Sequence, residues 1–367
     1  MSLEYFPLPG TPIQEVDTPS IVIDLDAAEL NIRKMQDFGD ANGTGIRPHT
    51  KTHKSPVFAR KQLEAGAIGV CCAKVGEAEE MVAGGITEVL IPNQVVGRTK
   101  IARVMALAGE ANVVVAADDP DNVRMLSEAA TESRKEIGVI VEVNVGMNRC
   151  GTEPGEDTVA LARTIDAARG LRFDGLMGYE GHTVSVRDAS ERRANAEAAM
   201  AKLFEAADGV EAAGLPVRVV SAAGTGTYNI TGAMERVTDI QCGSYIFMDG
   251  DYLEVFDDFQ PALSVLATVI SRPTSDRAVL DTGMKSISID RGLPQIVDCP
   301  GATFLKTSEE HGILSVEGNA QRLRVGDKIM LRPMHGDTTI NLHTHYFGAR
   351  DGKLDSIIEI AGRGRFR

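Results

Sequence analysis

Between residues 45 and 245 the chain alternates short apolar runs with stretches of helical periodicity. The apolar runs are IRPHTK (46–51), IGVCCAK (68–74), VLIPN (89–93), NVVVAAD (112–118), GVIVEVNV (138–145), FDGLMGY (173–179), VRVVSAA (217–223) and VTDIQCG (237–243). Between them lie SPVFARKQLEAG, KVGEAEEMVAGG, DDPDNVRMLSEAATESRK and EDTVALARTIDAARG, several of which start at Ser or Asp and stop at Gly. Those residue types satisfy the free N–H groups of a first helical turn and release the chain after the last one. Strands that are apolar almost throughout belong in a sheet covered on both faces, hence a parallel one. Eight such units in about 200 residues predict a closed (β/α)₈ barrel of the TIM type. An open doubly wound sheet is the alternative, but no GxGxxG follows the first strand.

After about residue 260 the helical period fades. ALSVLATVISRP, RAVLDTG, TFLKT, GILSVEG, DKIMLRP, TINLHTHYFGARDG and KLDSIIEIA are β-type runs broken by Gly, Asp and Pro. They predict a second, mostly antiparallel β domain. TPSIVIDL, near the start, reads as a strand that could pair into it. The expected division is therefore a barrel over 25–255 and a β domain built from 1–24 plus 256–367.

Composition narrows the function classes. The 367 residues carry 38 Lys+Arg against 52 Asp+Glu, a net charge of -14. With no basic cluster, no Trp and 5% aromatic residues, nucleic acid and anionic membranes are not expected partners. The longest small-and-apolar run, Ala65–Ala73, is too short to span a bilayer. Five scattered cysteines without metal or redox spacing suit reduced thiols, and a cytoplasmic protein is expected.

Four segments carry candidate chemistry. Lys51, in RPHTKTHKSP at the end of the first strand, is flanked by His49 and His53 and could serve as an amine nucleophile. A solvated lysine is the alternative, and Lys54 reads as one. Gly224, Thr225, Gly226 and Thr227, after the seventh run, could offer N–H groups and hydroxyls to a phosphate, or simply form a tight turn. A lysine and a phosphate loop together suggest pyridoxal phosphate. His335 and Asp337, two apart on what reads as an extended segment, would face one side and could hold a divalent cation. His343 and His345 share that spacing and are a rival pair.

These motifs give the chain a resemblance over nearly its whole length. DTPSIVIDLDAAELNI, RPHTKTHKSP, GVCCAKVGEAEEMVAGGI, VEVNVGMNRCG, SAAGTGTYN, CGSYIFMDGDY, VLDTGMKS, SEEHG and MHGDTTINLH occur in order. The sequence resembles the fold-type III pyridoxal-phosphate enzymes, whose barrel is that of alanine racemase, and within them the D-threonine aldolase and eukaryotic-type D-serine dehydratase group. The resemblance implies that Lys51 holds the cofactor covalently, that Arg149 and Tyr179 lie against its ring, and that Gly224 to Thr227 with Ser244 and Tyr245 hold its phosphate. It also implies that His335 and Asp337 are the metal pair, and that the protein is a homodimer in which Lys285, His311 and the 335–345 segment could act in trans.

Dehydratases of this group tend to carry a cysteine at the second metal position, which favours Zn²⁺. Asp337 is a hard oxygen donor and favours Mn²⁺ or Mg²⁺. The expected activity is thus a carbon–carbon lyase cleaving β-hydroxy-D-amino acids, of the D-threonine or D-3-hydroxyaspartate type, to glycine and an aldehyde, with His182 or metal-bound water as base. The alternative is a D-serine or D-threo-3-hydroxyaspartate dehydratase releasing a keto acid and ammonia. One departure from the aldolase pattern A-Y-H-G-S is GYEGHT: Glu180 stands in the place of a histidine, and His182 is displaced.

Overall fold

The computed structural model describes residues 6–367. Contacts divide them into two compact units: the described residues up to Asn31 with Ser244–Arg363, and Ile32–Gly243 with Gly364–Arg367. Of the expected β-domain segment 1–24, residues 1–5 lie outside the described residues.

In the larger unit, eight strands follow in chain order: β2 (Gly45–Ile46), β3 (Val70–Cys71), β4 (Glu88–Gln94), β5 (Asn112–Ala117), β6 (Ile137–Glu142), β7 (Leu171–Met177), β8 (Val219–Ala222) and β9 (Asp239–Ile240), with β1 (Ser20–Asp24) preceding them in the other unit. They form one sheet in the order β2-β9-β8-β7-β6-β5-β4-β3, and every pairing is parallel. A parallel bridge between His49 and Cys71 joins its two ends. Around that bridge, Cys71 N–H donates to Pro48 O and Thr50 N–H to Cys71 O, both at 2.8 Å. The expected (β/α)₈ barrel is present.

Its helices are α1 (Leu25–Asn42), within which the division between units falls, α2 (Pro56–Glu64), α3 (Val75–Ala83), α4 (Arg98–Leu107), α5 (Pro120–Ser133), α6 (Glu156–Asp166) and α7 (Ala189–Ala212). Three start as their sequences dictate. Ser55 accepts from Val57 N–H at 3.4 Å, Asp119 from Asn122 N–H at 2.9 Å and Asp188 from Glu191 N–H at 2.8 Å. Pro56 and Pro120 occupy first-turn positions where a missing N–H costs nothing.

The barrel interior is packed. Cys71, Leu90, Ala116, Ile140 and Met177, from five consecutive strands, form one buried cluster. Arg47, Leu90, Val114, Ile140, Asp174 and Val219 leave a void of only ≈ 20 Å³ between them.

The other unit holds a nine-stranded sheet that adds β10 (Leu263–Thr274), β11 (Arg277–Leu280), β12 (Gln295–Ile296), β13 (Ala302–Thr307), β14 (Gly312–Val316), β15 (Lys328–Arg332), β16 (His345–Arg350) and β17 (Lys353–Glu359). Seven strands run β13-β14-β11-β10-β1-β16-β17, and β15 pairs with β10 and β12. All pairings are antiparallel except β1 with β16, so β1 lies parallel to one neighbour and antiparallel to the other. Ile13, Val16, Val22, Leu266, Ala349 and Leu354 are buried together on this sheet.

Truncating the fully buried Ile140 to alanine should open a cavity among these close-packed strands and cost about 2–5 kcal/mol. A shift of the urea midpoint corresponding to less than 1 kcal/mol would show that the interior collapses around the change.

Candidate active site

The segment after β2 is held from both sides of the barrel closure. His49 N–H donates to Cys242 O at 3.0 Å, while Thr50 N–H is taken by Cys71 O on the opposite side. Lys51 follows in a turn, half-buried, its own N–H donating to His49 Nδ1 at 3.3 Å. That acceptor role requires a neutral imidazole. Burial, then the positive charges of Lys51, Lys54, His53 and Arg149, push the His49 pKa well below its ordinary 6.5.

Lys54 departs from expectation. It is buried, adopts a left-handed φ of 51° and pairs its amine with Glu77, whose other oxygen accepts from Ala73 N–H at 2.8 Å. Glu77 lies in α3, one helix and one strand further on, a partner invisible in the local pattern. Among the described residues no acid pairs with the Lys51 amine. Of the two lysines in this motif, one is consumed by the fold and the other is left available.

Arg149 and Tyr179 gather beside Lys51. The Arg149 guanidinium carbon lies 5.5 Å from the Tyr179 ring centroid, and its Nη2 is 3.6 Å from Glu142 Oε1. Glu142 also accepts from Gln94 Nε2 at 2.6 Å, and burial raises its pKa. Burial likewise raises the Tyr179 phenol, against the opposing pull of the Lys51 charge, so the ring carries a neutral hydroxyl.

The Gly224–Thr227 turn lies against the same ring. A Cβ at Gly224 would stand 3.1 Å from the Tyr179 ring, and one at Gly226 would run into Val184 O at 1.9 Å. Only glycine permits that approach at position 226. Beneath the turn sits Glu180, fully buried, accepting from the hydroxyls of Thr227 at 2.7 Å and Thr231 at 2.6 Å. The sequence marked Glu180 only as a departure from a pattern. Its two threonine partners lie 47 and 51 residues further on, so no local pattern marked it.

His182 is exposed, its Nε2 3.3 Å from where a Cβ of Gly146 would lie. Ser244 and Tyr245 belong to the other unit, in a short 3₁₀ turn Ser244–Ile246. There Tyr245 is buried with its ring 5.6 Å from Phe259, and the Ser244 carbonyl accepts from Met248 N–H at 2.8 Å.

His335 and Asp337 are in that unit too, and the extended segment expected for them is absent. His335 caps a short helix, Gly336–Ile340, and Asp337 lies in its first turn. The helix starts there because Asp249, far away in sequence, accepts from Gly336 N–H at 2.8 Å, and Thr339 Oγ1 donates to His335 O at 2.9 Å. Burial pushes the Asp249 carboxyl up to about 6. His335 Nδ1 is 2.6 Å from Asp290 Oδ2, a contact that orients the ring. Asp337 Oδ1 is buried without a hydrogen-bond partner. An orphaned carboxylate oxygen next to an imidazole held by a second acid fits a hard divalent cation, although no cluster of three or more His, Cys, Asp or Glu is placed to hold a metal among the described residues. In the rival pair, His343 Nε2 is spent on Ser286 O at 2.7 Å. Lys285, considered for a role in trans, pairs with Glu310 at 2.7 Å on the surface.

Known families and proteins resemble the chain along most of its length. The family described as alanine racemase, N-terminal domain, matches residues 23–251, and a serine dehydratase domain matches 262–349. The chain belongs to the fold-type III pyridoxal-phosphate enzymes. The enzyme is 40% identical over 370 residues to the 3-hydroxy-D-aspartate aldolase of Paracoccus denitrificans (strain Pd 1222), covering 98% of this chain and 95% of that one. The crystal structure of D-threonine aldolase from Filomicrobium marinum superposes with a TM-score of 0.96 at 41% identity, covering 98% and 99% of the two chains. The D-threo-3-hydroxyaspartate dehydratase of Delftia sp. (strain HT23) is more distant, at 30% identity over 88% of this chain and 92% of that one.

Two outcomes follow. Glu77→Ala, which strands a buried ammonium, should cost about 3–5 kcal/mol in urea unfolding of the apoenzyme, whereas Lys51→Ala should stay within about 1 kcal/mol. Equal losses would contradict the division of labour between the two lysines. Because the folded His49 refuses a proton that the unfolded chain accepts, apoenzyme stability should fall as pH drops below about 6.5 and keep falling toward the folded pKa. His49→Asn, which keeps an acceptor for Lys51 N–H, should flatten that slope in melting curves; an unchanged slope would exonerate His49.

Proposed function

We propose that the enzyme is a pyridoxal-phosphate and divalent-metal-dependent aldolase that cleaves β-hydroxy-D-amino acids to glycine and an aldehyde. The observation that carries the reading is the buried, unpartnered Asp337 Oδ1 beside His335, a hard donor set where the dehydratase pattern has a sulfur. Full-length similarity to aldolases supports it.

When bound, pyridoxal phosphate supplies the electron sink for cleavage of the Cα–Cβ bond, and a divalent cation supplies positive charge at the β-hydroxyl. The chain's own groups then divide the work. Lys51 offers the amine that holds the cofactor covalently. The Gly224–Thr227 turn would bind its phosphate. Arg149 and the neutral Tyr179 would help hold the cofactor ring. His335 and Asp337 hold the cation, of which Mn²⁺ and Mg²⁺ suit a carboxylate oxygen and Zn²⁺ suits it less. His182 takes the β-hydroxyl proton as general base.

The enzyme is read as a cytoplasmic homodimer. All five cysteines are free, in keeping with a reducing compartment, and among the described residues no helix is long and apolar enough to cross a membrane.

Incubation with D-threonine or D-3-hydroxyaspartate should yield glycine without ammonia. Chelation should stop the reaction and Mn²⁺ or Mg²⁺ restore it, and Asp337→Ala should lower kcat by about a hundredfold or more. Ammonia in place of glycine would establish the dehydratase instead, and full turnover after chelation would remove the metal from the reaction.

A further inference from the structure

Glu180 has no role in the chemistry above, yet it is among the most fully engaged buried acids in the barrel unit. Its Oε1 accepts from Thr227 Oγ1 at 2.7 Å and Thr231 Oγ1 at 2.6 Å, and its Oε2 from Ala223 N–H at 3.2 Å. These donors bracket the Gly224–Thr227 turn: Ala223 precedes it, Thr227 ends it, and Thr231 lies a turn further on in the short helix Tyr228–Thr231.

Each bond fixes something the turn needs. Ala223 has a φ of 64°, the left-handed region that disfavours a residue with a Cβ. The bond from its N–H to Glu180 holds it there. The Thr227 hydroxyl accepts from Gly224 N–H at 3.2 Å and spends its own proton on Glu180. That proton is then unavailable to an anion. From the opposite side Val184 presses against Gly226. A carboxylate buried this close to an anion site opposes the anion, and its position makes sense as scaffolding for the loop that binds it.

We propose that Glu180 is a positioning residue for the cofactor phosphate: it sets the curvature of the Gly224–Thr227 turn through Ala223, Thr227 and Thr231. The inference rests on reading that turn as the phosphate site. It also explains why a glutamate can occupy the place of a histidine: at this position the chain uses the side chain to shape a turn.

The test titrates apoenzyme with pyridoxal 5'-phosphate and with pyridoxal, which lacks the phosphate, following protein fluorescence, for the wild type, Glu180→Ala, Glu180→Gln and Thr231→Val. Glu180→Ala should weaken the phosphate ester by roughly ten- to hundredfold and leave pyridoxal unchanged. Glu180→Gln keeps an oxygen for the two threonines and should lose roughly three- to tenfold. Thr231→Val should shift the preference in the same direction by a smaller factor. A wild type without preference for the phosphate ester would overturn the phosphate site itself. A wild-type preference that survives in Glu180→Ala, or equal weakening of both ligands, would overturn the role of Glu180 alone. If Glu180→Ala does not fold, an unchanged preference in both Glu180→Gln and Thr231→Val overturns it.

Discussion

Everything in the barrel unit depends on how its parallel sheet meets itself. β2 and β3 contribute two residues each to regular pairing, so the closure rests on the His49–Cys71 bridge and the few backbone bonds around it. A parallel sheet left open would expose two rows of unpaired backbone groups, whereas closure removes both edges. The same bonds pin the chain from Pro48 to Thr50 against strands on either side. Lys51 therefore emerges from a segment with almost no backbone freedom, at the C-terminal end of the strands where barrels carry their chemistry.

Around that fixed point the protein resolves a problem of buried charge. Glu77, Glu142 and Glu180 are all buried near the strand ends, and each is committed to a different partner set. Glu77 neutralises Lys54, Glu142 accepts from Gln94 near Arg149, and Glu180 collects hydroxyls and an N–H. A buried carboxylate without such partners would be costly. Committing all three to structure leaves the Lys51 amine without a competing counter-ion, the condition under which it can serve as a nucleophile. In the other unit the logic is reversed: Asp249 and Asp290 serve as scaffolding, and Asp337 keeps one oxygen unused.

The barrel was legible because its signal is local and repeated. Each strand had to be apolar on both faces, and several helices announced their starts, as Ser55 and Asp119 do. The glycine turn and Lys51 were legible for a similar reason, as unusual residues at strand ends. What could not be read depended on distant partners. His335 and Asp337 looked extended because two-residue spacing is a strand signal, and nothing nearby reveals that Asp249 starts a helix between them. Lys54 looked solvated because Glu77 reaches it only after a helix has formed and turned back. Asp290 orients His335 from 45 residues away, with no periodicity to betray it.

The place of β1 bears on the order in which the molecule is completed. Ile23 pairs with Leu263 on one side and Gly348 on the other, so this apolar strand leaves the ribosome well before either neighbour exists. Every strand of the barrel, by contrast, finds its partners between residues 45 and 240. During synthesis the barrel can close while SIVI is still an unpaired, sticky edge that must be kept from pairing elsewhere. The strand made earliest is among the last to be satisfied, and a nascent chain stalled short of residue 345 would hold a finished cofactor barrel tethered to an aggregation-prone segment.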